Sequence, residues 1–129
     1  MPLVHAVIAL ALIEYFVFGF AVGRARGRYK VPAPATTGNE VFERYYRVQM
    51  NTLEQLVVFV PSVLLFAHYV QPFAAAALGL VFIAGRALYF RGYVRGPERR
   101  YLGFGLSALA NTTLMLGALI GAARAALGA

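Results

Sequence analysis

Four long apolar runs constrain this chain more than any other feature of its sequence. Crossing a hydrocarbon core takes about 20 helical residues at 1.5 Å each, and a chain of 129 residues has room for four such passes and little else. The composition agrees: 60% of the residues are hydrophobic, 13% are charged, and the mean hydropathy is +0.67. A soluble domain of this size could not bury so much apolar surface. The bilayer is therefore the expected solvent, and the expected architecture is an all-α, integral membrane four-helix bundle formed by a single domain over residues 1–129.

The helices are expected at about residues 2–23, 39–69, 73–93 and 97–127. The first ends at a basic stretch, Arg24, Arg26, Arg28 and Lys30, which reads as a stop signal. The following VPAPATTG segment, with its two prolines and closing glycine, is loop chemistry. The first run lacks a basic leader and a convincing cleavage site, so it is read as a retained helix rather than a signal peptide. The second helix is long, roughly 45 Å at helical rise, so its first two turns are expected to project into water. Gln71 and Pro72 make a short connection, and Pro97 suits the first position of the fourth helix. Alanine and glycine, abundant in the third and fourth helices, fit close helix packing in lipid.

Basic residues set the orientation. Four lie in the first connection and four more (Arg91, Arg95, Arg99 and Arg100) around the third, whereas the segment from His68 to Phe73 has none. Connections one and three are expected on the cytoplasmic side, with both termini opposite, in a bacterial inner membrane. Topology thus accounts for the net charge of +7, and no nucleic-acid motif accompanies it. With no cysteine there is no disulfide, thiolate metal site or protein-borne thiol nucleophile. His5 and His68 lack acidic partners at metal-ligand spacing, so no metal is expected.

Ionisable groups in a membrane helix cost at least about 2.5 kcal/mol each near the centre, and here they are not scattered. Glu40, Glu43, Arg44, Arg47, Asn51 and Glu54 recur at three- and four-residue spacing, forming one stripe on the second helix. Arg86, Tyr89 and Tyr93 share a face of the third, and Arg99, Arg100 and Tyr101 open the fourth at the same level. Two readings follow. Arg47 or Arg86 could pair with Glu54 and tie the bundle together, although buried charge pairs are poor glue once desolvation is counted. Alternatively, the excess of arginines makes a pocket for an anionic ligand, with Glu54 left to receive an ammonium.

Two strings in this region resemble the MAPEG family of membrane-associated proteins in eicosanoid and glutathione metabolism. TTGNEVFERYYRVQMNTLEQ, Thr36 to Gln55, is similar to that family's FER followed by R-x-x-x-N-x-x-E; GRALYFRGYVRGPERR, Gly85 to Arg100, resembles its R-x-x-Y-F-x-G-Y segment and the arginine-bearing turn after it. The resemblance covers roughly residues 24–104 and is nearest to the leukotriene C4 synthase and microsomal glutathione transferase branch.

The resemblance implies a homotrimer that binds glutathione between subunits and transfers it to lipophilic electrophiles, with possible peroxidase activity on lipid hydroperoxides. Glutathione would be a co-substrate, held by Arg47, Asn51, Glu54, Arg86, Tyr89 and Tyr93, while Arg26 and Gln49 would reach it from the adjacent subunit. Gln49 suits that role because it lies roughly 160–200° around its helix from the Arg47 stripe. Arg100 matches the arginine that stabilises the thiolate, and a guanidinium beside a thiol lowers its pKa. Gln55 stands in the binding set where the leukotriene synthase pattern has tyrosine, and Gly27 where a second proposed catalytic arginine would be. Both departures favour general electrophiles over the leukotriene substrate. The competing readings are a noncatalytic lipid-binding scaffold of the same family and a small multidrug transporter using Glu14 in the first helix.

Overall fold

The computed structural model describes residues 1–128 and consists of four helices joined by short connections: α1 (Pro2–Tyr29), α2 (Glu40–Tyr69), α3 (Pro72–Arg95) and α4 (Tyr101–Ala126), with a 3₁₀ turn at Pro97–Arg99 before α4. All four are long and apolar enough to cross a membrane.

The helix starts are written in local chemistry. Asn39 caps α2 by accepting the Phe42 amide at 3.0 Å, satisfying a donor the first turn leaves open. Gln71 does the same for Ala74, with Pro72 in the first position of α3. α2 carries Pro61 without ending.

Two boundaries differ from expectation. α1 does not stop at Gly23 but continues through the basic stretch to Tyr29, ending where Lys30 turns left-handed at φ 59° and the Val31 amide bonds the Arg26 carbonyl at 3.0 Å. Arginine is a good helix former, and nothing lies within contact distance of the side-chain positions of Gly23 and Gly27, so charge ends the apolar run without ending the helix. The fourth helix begins at Tyr101 rather than 97. Residues 97–99 instead close a tighter 3₁₀ turn, with Arg99 bonding the Gly96 carbonyl at 2.9 Å, and the α-helical ladder opens with the Phe104 amide on the Arg100 carbonyl. The turn folds against α3: a Cβ on Gly92 would lie 2.3 Å from the Arg99 carbonyl oxygen.

Every helix contributes to one apolar core, including Val4, Val7, Phe59, Phe82, Ala110 and Leu114. Phe59 and Phe82 stack at 4.1 Å between centroids. The small residues of α3 and α4 bring their backbones together, as expected. A Cβ on Gly103 would stand 2.1 Å from the Tyr89 nitrogen, and one on Gly85 would stand 2.7 Å from the Ser107 nitrogen. Large apolar side chains such as Phe16, Phe20, Leu109 and Leu119 point outward, an arrangement suited to lipid rather than water.

Candidate functional site

The close crossing of α3 and α4 fixes Tyr89, and the site is built around it. Arg86, one turn earlier on α3, has 0% exposure, yet its guanidinium donates to Asn51 Oδ1 on α2 at 2.8 Å. It also lies 4.2 Å from the centroid of the Tyr89 ring, a cation–π contact strengthened by burial. Tyr89 in turn meets Tyr93 at 5.5 Å and Phe104 of α4 at 6.2 Å. The charges of Arg47 and Arg100 act on the Tyr89 hydroxyl together with that of Arg86. Three helices therefore bring cations, an amide and phenols to one depth.

Glu54 and Arg47 are exposed on the outward face of α2, while Asn51 is half-buried. The possible pairing of Arg47 or Arg86 with Glu54 is absent: among the described residues the single ion pair is Arg44 with Glu40, 3.4 Å apart and one turn along α2. Glu43 accepts the Gly38 amide at 3.2 Å. The sequence stripe thus divides into a first part occupied by the start of α2 and a second part, Arg47, Asn51 and Glu54, carrying charge that its own chain does not neutralise. Arg86 Nε and one terminal nitrogen are likewise buried without a hydrogen-bond partner.

The remaining sequence candidates lie apart from this cluster or are already engaged. Arg26 donates to the Ala35 carbonyl at 2.7 Å and the Val31 carbonyl at 3.3 Å, and lies 4.9 Å from the Phe42 centroid; it pins the first connection. Gln49 faces α1 beside Gly19 and lines a cavity of about 350 Å³ with Tyr15, Phe16, Phe20 and Gly23. The side-chain and backbone oxygens of Gln55 both accept from Asn111 Nδ2 of α4, at 3.1 and 3.2 Å. Arg100 folds onto its own turn, donating to the Pro97 carbonyl at 2.7 Å with its guanidinium 4.8 Å from the Tyr101 centroid.

Sequence reasoning missed Asn111 and undervalued Glu14. Asn111 is an isolated amide in an apolar helix, which was signal enough to ask for a partner. Glu14 on α1 lies on the Arg86 side of the bundle, and its Oε1 is buried without a hydrogen-bond partner, so this carboxyl group belongs to the deep side of the same cluster. No group of His, Cys, Asp and Glu able to hold a metal is present among the described residues.

Four helices long and apolar enough to span a membrane, around a buried polar cluster, define an integral membrane protein with a candidate site within the bundle. The chain belongs to the MAPEG family, whose pattern matches residues 4–120, beyond the stretch in which the motifs are concentrated. It is 53% identical over 112 residues to a Synechocystis protein named Uncharacterized protein sll1147, covering 87% of this chain and 82% of that one. It is 43% identical over 119 residues to microsomal glutathione S-transferase 2 of Homo sapiens, covering 91% and 80% respectively, and 36% identical over 135 residues to leukotriene C4 synthase of Cavia porcellus, covering 98% and 90%.

Proposed function

We propose that this protein is a membrane glutathione transferase that holds glutathione as its thiolate and conjugates it to lipophilic electrophiles. The observation that carries the reading is the excess of arginines over acids at the cluster: Arg47, Arg86 and Arg100 gather near Tyr89, Glu14 is the carboxyl on the Arg86 side, and among the described residues none of the three arginines is in an ion pair. Glutathione offers two carboxylates to arginines able to bind them bidentately. Its peptide groups suit Asn51, and its ammonium suits the unpaired Glu54. Arg86, with two unpartnered donor nitrogens, braces Asn51 and the tyrosines and has hydrogen bonds still to give. Tyr89 and Tyr93 offer phenol groups at the same level.

In this reading the thiol proton leaves to solvent, and Arg100 at the start of α4 stabilises the thiolate, aided by the positive end of the helix. The sulfur then forms a C–S bond while the electrophile's leaving group, or an opened epoxide oxygen, departs with the electron pair. With a lipid hydroperoxide the same thiolate would instead attack oxygen: two glutathiones give the disulfide, and the peroxide becomes an alcohol and water. The relatives named for glutathione transfer and leukotriene C4 synthesis support this chemistry.

The assembly is proposed to be a homotrimer. Arg47 and Glu54 face outward from their own bundle, and Gln49 faces a different side from Asn51. A pocket closed by a neighbouring subunit uses both faces at once, and with them Arg26. Gln55, held by Asn111, serves the site from behind rather than by direct contact.

The test is the ultraviolet absorbance of glutathione thiolate on adding purified protein at neutral pH. Wild type should give the signal; Arg100→Ala should lose it while still binding glutathione, with conjugation falling about 100-fold or more. Turnover unchanged in Arg100→Ala removes Arg100 from the mechanism, and no glutathione binding by wild type removes the proposed function.

A further inference from the structure

A second cavity lies on the side of α1 opposite Gln49, and its Phe90 wall packs against the same apolar group as Tyr89. It has a volume of about 330 Å³ and is lined by Ala21, Arg24, Ala25 and Arg28 of α1, Tyr45 of α2 and Phe90 of α3. At about 100° per residue the α1 members share one face, and that face is turned roughly 160° from the Tyr15, Gly19 and Gly23 side that holds Gln49. The floor is aromatic: Phe90 stacks on Phe18 at 4.7 Å and takes the edge of Tyr45 at 5.7 Å. The rim is cationic, and among the described residues neither Arg24 nor Arg28 is in an ion pair. Both side chains are exposed.

Its depth in the bilayer decides what it fits. The apolar part of α1, residues 2–23, is about 33 Å long at helical rise, against a hydrocarbon core of about 30 Å. Arg24 therefore sits at the boundary of the hydrocarbon, Arg28 one turn into the headgroup layer, and Ala21 one turn inside. A phosphodiester at Arg24 and Arg28 would place the first carbons of its acyl chains over Ala21, Ala25 and Phe90. A free anion would leave that apolar floor unused, and a neutral lipid would leave two arginines without a counter-charge. We infer that this slot between α1 and α3 is a binding site for the headgroup of an anionic phospholipid, separate from the Arg86 cluster.

The experiment is native mass spectrometry of the purified protein released from nanodiscs of phosphatidylglycerol and phosphatidylcholine. Wild type should retain phosphatidylglycerol in preference to phosphatidylcholine, and excess inorganic phosphate should not displace it. Arg24→Gln combined with Arg28→Gln should reduce retention at least about tenfold, since it removes both charge-assisted contacts to the phosphodiester. Ala21→Phe, which keeps both arginines but fills the slot, should reduce it as well. Arg91→Gln combined with Arg95→Gln removes the same charge from α3 and should leave retention intact. Equal retention of the two lipids, equal loss in the α3 pair, full retention in Ala21→Phe, or displacement by phosphate would each overturn the assignment.

Discussion

Among the residues of the site, Asn51 has the most to lose. Among the described residues it is the one hydrogen-bond acceptor for the buried Arg86 guanidinium, and a hydrogen bond to a charged group is worth about 1.5–3 kcal/mol. Asn51→Leu should therefore lower the thermal midpoint in detergent and weaken glutathione binding at least tenfold. Asn51→Asp, which keeps the acceptor, should recover the midpoint. Calorimetry on the three proteins checks this, and equal midpoints for leucine and aspartate would show that Arg86 does not depend on position 51. Residues at this scale were unevenly legible. Arg86, Asn51 and Tyr89 stood out because charge and amide are costly in lipid and recur at helical spacing. The Asn111–Gln55 contact did not, because joining residues 56 apart requires knowing which faces of two apolar helices meet. Apart from the family resemblance, Arg26 stood out in the sequence only as one of the basic residues that close the first apolar run, and its bonds to Val31 and Ala35 depend on a helix end that the sequence placed a turn and a half too early.

The helices themselves were legible in number and order because each apolar run is close to the thickness of the hydrocarbon core. Their ends were less so, since a basic stretch ends a membrane span and not necessarily a helix. The contact between α3 and α4 is the structural hinge on which the site depends: Gly85 and Gly103 allow the backbones to touch, and Tyr89 is carried at that point. Gly103→Ala should cost about 1–3 kcal/mol through overpacking against backbone that has no room to move. It should also impair glutathione turnover without altering any polar residue. Gly105→Ala, where no atom lies within 4 Å of the added carbon, should be neutral or slightly stabilising through helix propensity. Thermal unfolding of both variants checks the contrast, and similar midpoints would refute it.

For the whole molecule, charge asymmetry and half-pockets make linked predictions. The eight basic residues flanking the first and third connections lead us to expect those connections in the cytoplasm by the distribution of positive charge, and the proposed homotrimer predicts three chains of 14.0 kDa in the purified particle. The chain has no cysteine, so single substitutions report cleanly. In intact cells a membrane-impermeant maleimide should label Gln71→Cys and not Ala35→Cys, and the mass of the detergent-purified particle should be that of a trimer. The reverse labelling would invert the topology, and a monomer in both detergent and nanodiscs would overturn the proposed trimer.

The touching backbones of α3 and α4 also bear on how this chain could vary over time. At positions 85 and 103 a Cβ would press on the backbone of the other helix, so both are constrained much as a group that meets the ligand is, though neither has any chemistry to offer. Gly27, with open space around it in its own chain, is under no such packing constraint from that chain. Invariance at a glycine in this fold is therefore a record of how near two helices must come, and a survey of related sequences that ranked positions by constancy alone would count the crossing as part of the reaction.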